Sequence, residues 1–274
     1  MASHSAHQCQ RDTWAAYYAS DNVATRFDGV VDALTTEAEI AASSAPADAN
    51  LPQIDGPLLS QVTHAIQLAL ESVLGKDGSS GANGCKIPAA LFTIPQDGVK
   101  EQSPLYYALS AALDFAITHK VDLSNTEWTN NAMARGLLED VRLKLVDNRQ
   151  LPLVKVYFGA DIPNEKRANL STTVQSLGGR VVDSEHDATH IVDNIEVRSG
   201  DGGDDWFRTL SKQDGRVLVH WWYTPDSYDA WMLAEPPYSA EPEEASEHNG
   251  PWYVSLQWVE DSRSFNEWMS EEDY

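Results

Sequence analysis

With 274 residues, 42% of them apolar, and a formal net charge of −23, the chain has a globular composition and repels phosphate backbones at long range. No apolar run approaches the roughly 20 residues that span a bilayer, and the opening "MASHSAHQCQRDTW" lacks the apolar core of a secretory signal. Two cysteines, Cys9 and Cys85, build neither a disulfide framework nor a cysteine-rich zinc site, so a reducing compartment is the default.

The charge is uneven. Residues 1–150 hold 10 Lys and Arg against 18 Asp and Glu, and residues 151–274 hold 9 against 24. No cationic run is longer than Lys166–Arg167. A basic protein surface therefore suits the chain better than a nucleic acid, and the same acidity also keeps it soluble.

The first half reads as helices. Phe27, Val30, Val31 and Leu34 recur at helical spacing. Residues 38–55 read as a loop, and Pro57 opens a helix with Leu59, Val62, Ile66, Leu70 and Val73 on its buried face. Residues 76–86, "KDGSSGANGCK", read as a further loop. Ser103-Pro104 is an N-cap followed by a first-turn proline. It starts a helix that buries Leu105, Leu109, Ala112, Leu113 and Ala116. "SNTE" at Ser124–Glu127 has capping-box spacing, and the helix after it sets Met133, Leu137, Val141 and Leu145 four apart. Residues 10–150 are thus one mostly helical domain.

The period changes at Val154. Val154, Val156 and Phe158 alternate with Lys155 and Tyr157, a strand pattern. Residues 164–177 read as a helix stopped by Gly178-Gly179. "RVVDS" and "THIVDN" read as short strands. A polar Gly/Asp loop follows, and then "VLVHWWYTPDSYDAWM" supplies a strand and turn dense in aromatic residues. Residues 234–251 are acidic and Pro-rich, a loop by composition. "WYVSLQW" reads as a strand, and "VEDSRSFNEWM" as a helix with Val259, Phe265 and Trp268 apolar.

No catalytic motif is present. His186 and His190 are four apart, yet the HExxH order of a zinc helix is missing and His190 reads as the start of a strand. No Walker loop, GxGxxG or GxSxG occurs. Gly200, Gly202 and Gly203 lie in an acidic loop that would repel phosphate. The expectation is therefore no enzyme, no catalytic residue, no metal and no cofactor.

The strand "VKVYFG", the pair Gly178-Gly179, the strand "ATHIVDN" and a last helix led by Trp258 resemble a BRCT domain. Val219-His220-Trp221, Pro225-Asp226-Ser227 and Asp229-Ala230-Trp231 resemble a chromodomain core inserted within it. With the helical first half and the terminal "FNEWMSEEDY", the chain is similar to the N-terminal module of the Moira-type scaffold subunits of SWI/SNF chromatin-remodelling complexes.

That resemblance implies a multidomain α+β chain. A helical, winged-helix-related (MarR-like) domain spans 10–150. A BRCT-like α/β domain is split into 151–194 and 252–274. A small chromo-like β unit occupies 195–251, with 234–251 as its acidic loop. Gly178, Gly179, Trp231 and Trp258 are then structural anchors. Trp206, Trp221, Tyr223 and Tyr228 are candidates for a degenerate chromo-type pocket, with Phe207 as the alternative to Trp206. Thr224 stands where a cage aromatic is expected, which weakens cation–π capture of methyl-lysine.

The phosphate-binding position of a BRCT domain falls on Phe158-Gly159-Ala160, which has no hydroxyl, and Lys212 is a weak stand-in for the lysine. Residues 128–147, the candidate DNA-recognition helix, balance Arg135, Arg142 and Lys144 against Glu139, Asp140 and Asp147. The implied function is a non-catalytic nuclear scaffold in transcription regulation, contacting other subunits of the remodelling complex. The alternative is a reader of a histone tail or DNA.

Overall fold

The structure is a computed structural model describing residues 15–44, 53–74, 85–122, 131–195, 207–223, 226–238, 240–242 and 248–274; for residues 221–223 and 226–230 it describes the backbone. The fold is mixed α+β, with one parallel and one antiparallel sheet. Two compact units form. The first is Met1–Val73 with Leu91–Leu151, and the second is Leu74–Ala90 with Pro152–Tyr274.

The first unit is helical. Its helices are α1 (Asp21–Ala24), α2 (Val31–Ser44), α3 (Gly56–Leu74), α4 (Pro104–His119) and α5 (Asn131–Asp147), and a 3₁₀ turn over Thr25–Val30 joins α1 to α2. Ser103 caps α4, accepting the Tyr106 N–H at 3.3 Å, with Pro104 in the first turn. Leu105, Leu109, Ala112, Leu113 and Ala116 are buried, and so are Tyr106, Ala108, Ala111, Phe115 and Ile117. A helix buried on so many sides forms the centre of its unit.

Its polar members find one partner. The Tyr106 hydroxyl donates to Glu37 Oε1 at 2.7 Å, and Ser110 Oγ donates to Oε2 at 2.6 Å. Burial, reinforced by the Glu37 carboxylate, pushes the Tyr106 phenol well above its ordinary range.

Several helix limits differ from expectation. α2 continues through residues 38–44, read above as loop, because Ala38, Glu39, Ala41 and Ala42 are helix formers and Ala38 is buried. Residues 45–52 lie outside the described residues. In the first apolar stripe Phe27, Val30 and Leu34 are buried, while Val31 is half-buried where the 3₁₀ turn changes the period. On α3, Ala69 is buried and Leu70 half-buried. The "SNTE" start lies outside the described residues. From Asn131 onward Leu137, Val141 and Leu145 are buried and Met133 is half-buried.

The segment Leu74–Ala90 belongs to the second unit, although residues 10–150 read as one domain. Buried Cys85 and Ile87 flank Lys86, whose N–H donates to the Asn266 carbonyl at 2.9 Å, a bond that ties Cys85–Ile87 to the end of the second unit.

His64 on α3 stacks on Tyr18, with ring centroids 4.7 Å apart, and burial lowers its pKa below 6.5. The folded state thus favours the neutral imidazole. Its contribution is complete above pH 6.5 and declines as pH falls through 6.5 to the lower folded-state value. The urea midpoint of the helical unit should fall between about pH 7.5 and 5.5, and His64→Phe should flatten that slope.

The second unit contains both sheets. β1 (Lys155–Phe158), α6 (Asn164–Ser176), β2 (Arg180–Val181) and β3 (His190–Asp193) come first. Three antiparallel strands follow: β4 (Phe207–Gln213), β5 (Arg216–Tyr223) and β6 (Asp226–Leu233). The chain then returns as β7 (Trp252–Ser255) and α7 (Leu256–Phe265). The parallel sheet has order β2-β1-β3-β7, and β7 runs beside β3 from His190↔Trp252 to Asp193↔Ser255. The strand expected from "WYVSLQW" therefore joins the sheet begun at Lys155. Val156, Phe158, Val192 and Val254 share one core with Leu170 and Val174 of α6 and Trp258 and Val259 of α7.

Gly178 adopts φ 78° and ends α6, its N–H bonded to Gln175 O at 3.0 Å. Gly179 is needed for space. A Cβ there would stand 2.9 Å from Val174 Cγ1 and 3.0 Å from Trp268 Cζ2.

Residue periodicity does not mark β4, although the chromodomain resemblance places a first-strand aromatic at Trp206 or Phe207. The signal for β4 is Asp214-Gly215, with φ 53° and 71°, closing a two-residue turn between Gln213 and Arg216. Two positive φ values match the twist of a hairpin and favour this dipeptide. Gly215→Ala should cost about 1 kcal/mol, since Ala resists the left-handed region; a urea titration would read the loss.

Candidate functional site

The candidate pocket residues lie on the antiparallel sheet. Backbone register sets Phe207 of β4 opposite Trp221 of β5, and Trp221 opposite Tyr228 of β6. Three aromatic positions thus form one row across three strands. Tyr223 stands at the end of β5, opposite Asp226 and outside that row. Trp206, Thr224 and Pro225 lie outside the described residues, so Phe207 is the described first-strand aromatic of the pair proposed from sequence. The Tyr238 ring meets Phe207 edge-on at 5.2 Å, and Lys212 pairs with Glu241. The acidic Pro-rich segment thus contacts β4 near both ends.

Of the four anchors, Trp258 is fully buried. It stacks between His190 at 4.5 Å and Trp268 at 4.9 Å, and its indole N–H donates to Met269 O at 2.9 Å. Gly178 and Gly179 fill the turn and close-packing roles described above. Trp231 is only half-buried, unlike the core position expected of it. It stands opposite Leu218 near the end of the outer strand β6, and an outer strand leaves one side of a ring open to solvent.

His186 and His190 do not converge. His186 is exposed in the 3₁₀ turn Glu185–Asp187, whereas His190 is buried at the start of β3. The His190 ring spans Thr189 Oγ1 at 2.9 Å and Glu271 Oε1 at 3.0 Å, so both its nitrogens are occupied in the core. Among the described residues no group of three or more His, Cys, Asp or Glu is placed to hold a metal ion. Cys85 is a buried free thiol, and Cys9 lies outside the described residues.

The phosphate position holds one carboxylate and one guanidinium. Gly159 approaches Asp193 so closely that an added Cβ would collide with its carboxylate, and Arg167 Nη2 donates to Gly159 O at 2.8 Å. The Asp193 carboxylate beside Gly159 opposes an incoming phosphate and offsets the Arg167 charge. On α5, Arg142 makes a bidentate pair with Glu139 at 2.6 and 2.9 Å, and Lys144 pairs with Asp114 at 3.4 Å. Two of the three cations of the candidate DNA helix are thus matched by carboxylates. Burial raises the Asp114 pKa, and Lys144 partly offsets the rise.

Sequence reading missed the role of His220. This residue of β5 is buried, and its Nε2 lies 3.5 Å from Glu267 Oε1, linking the antiparallel sheet to the segment after α7. The run Val217–His220 is buried throughout, so the sheet is covered on both faces along this part of β5. A buried polar residue in an apolar strand run was the available signal. Among the described residues no helix is long and apolar enough to cross a membrane. No family model matches the chain.

Proposed function

We propose that the chain is a non-catalytic scaffold module of a SWI/SNF-type ATP-dependent chromatin-remodelling complex, working in the nucleus through protein–protein contacts. One observation carries the reading. The chain leaves a parallel sheet after β3, builds an antiparallel sheet, and rejoins the parallel sheet at β7. A chromo-like unit inserted in a BRCT-like domain, beside a MarR-like helical domain, would follow this path. The fold class alone fixes no function; the motifs around Gly178, Trp221 and Trp258 supply the link to that family. In this reading ATP hydrolysis belongs to another subunit, and the chain binds neither metal nor cofactor.

The row Phe207, Trp221 and Tyr228 favours a second reading, a reader of a histone tail. Nucleosome binding separates the two. A scaffold co-purifies with other remodeller subunits and leaves free nucleosomes unshifted in a gel. A reader shifts nucleosomes, loses the shift on Trp221→Ala, and responds to trimethyl-lysine peptides by fluorescence. The acidic balance argues against direct DNA binding in either case.

A further inference from the structure

We infer that the outer edge of β7 is a docking strand for an extended, lysine- or arginine-rich segment of a partner protein. β7 is an edge strand of the parallel sheet. Its Trp252 N–H donates inward to Thr189 O at 2.9 Å, while Ser255 N–H donates to Tyr274 O at 3.3 Å on the other side. Strand alternation turns the N–H and C=O of Tyr253 to that outer side. The Tyr253 residue is 59% exposed, against a buried Val254 beside it. Among the described residues nothing pairs with that N–H and C=O, and an edge with an open backbone pair and an exposed ring is a template for an added strand.

Charge selects the occupant. The Tyr253 hydroxyl donates to Glu185 Oε1 at 3.4 Å, so the acidic turn Glu185–Asp187 lies beside the edge. A second acidic turn, Glu271–Asp273, also contacts β7. His190 partners Glu271, and His186 belongs to the first turn. Lys155 and Arg180 stand on β1 and β2, beyond β3. Two acidic turns thus adjoin the strand and repel nucleic acid, whereas a cationic strand gains both backbone bonds and charge complementarity. The exposed Tyr253 ring offers a cation–π surface beside the first turn. The inference stands on the edge geometry and does not require the remodelling reading.

The test uses the whole isotopically labelled chain and a synthetic peptide of alternating lysine and threonine. Binding should shift the Tyr253 and Glu185–Asp187 amides and slow exchange at Tyr253, and salt should weaken it. A glutamate–threonine peptide should leave them unmoved. Replacing alternate threonines with proline keeps the charge but blocks strand pairing, and should weaken binding by about tenfold. Tyr253→Pro removes an outward N–H that the sheet does not use, a change an edge strand tolerates, and should cost about the same factor. Asp187→Lys with Glu272→Lys should weaken binding to a similar extent without touching the backbone. Equal binding by the proline-containing peptide, binding by the glutamate peptide, shifts confined to other surfaces, or unchanged affinity in the charge-reversal variant would each overturn the inference.

Discussion

Trp258→Ala is expected to lower the stability of the second unit by about 3–5 kcal/mol, a large part of the roughly 5–15 kcal/mol that holds a domain together. Three losses combine. The fully buried indole leaves a cavity between His190 and Trp268. Its N–H no longer satisfies Met269 O, although Met269 N–H can still donate to Ser262 Oγ at 3.1 Å. Trp268 loses the ring on which it stacks, and with it the support that keeps it beside Gly179. Trp258→Phe separates these terms. It keeps a ring in the stack but orphans the Met269 carbonyl, at about 1–3 kcal/mol. Hydrogen exchange read peptide by peptide is the measurement, because a single melt of two units is not a two-state transition. Loss of protection should appear first in β1, β3 and β7. Unchanged protection there would contradict the assignment of Trp258 as the centre of the core.

Gly56→Ala is expected to strike the helical unit. Gly56 begins α3, capped by Asp55, whose Oδ1 accepts the Leu58 N–H at 2.9 Å. A Cβ at this position would run into the Ala24 carbonyl oxygen, with the carbonyl carbon 3.0 Å away and Asp28 Oδ1 at 3.4 Å. The obstacle is main chain at the end of α1 and cannot swing aside as a side chain could. Overpacking of this kind costs about 1–3 kcal/mol. Gly29→Ala is the control, since its Cβ would meet only Val99 O, at an ordinary 3.5 Å. Urea unfolding followed by exchange in α1, α3 and α4 should show a lower midpoint for the Gly56 variant than for the Gly29 variant. Equal midpoints would show that α1 and α3 can move apart without cost.

What the sequence made legible was local. The cap at Ser103, the stop at Gly178 and the alternation of Val154, Val156 and Phe158 each depend on a few neighbouring residues, and each has its expected form. The continuation of α2 to Ser44 was obscured by the loop-like residues that follow it, although Ala38, Ala41 and Ala42 already favour helix. β4 was hidden by its polar composition, "FRTLSKQ", and its clearest marker lay in the next turn at Asp214-Gly215. The attachment of Cys85–Ile87 to the second unit depends on a bond to Asn266, far along the chain, and no local period encodes it.

The candidate site was legible to a different extent. The aromatic density of β5 and β6 was plain, but the row Phe207, Trp221 and Tyr228 follows from strand register, which a short turn and the β4 bulge near Thr209 decide. His220 and His190 each lie near a glutamate of the C-terminal segment, at 3.5 and 3.0 Å, so that segment joins elements of both sheets. Nothing in the spacing of the two histidines announces this. The edge of β7 and its acidic turns likewise come together only once the sheet is assembled.

The most direct test of the scaffold account is affinity capture of the full chain from nuclear extract, with quantitative mass spectrometry of what it retains. The account predicts recovery of a remodelling ATPase and its companion subunits in near-equal molar amounts, stable in salt that strips nucleosomes from the capture. Recovery of histones and DNA without any remodelling subunit, or of no remodelling subunit at all, would contradict it.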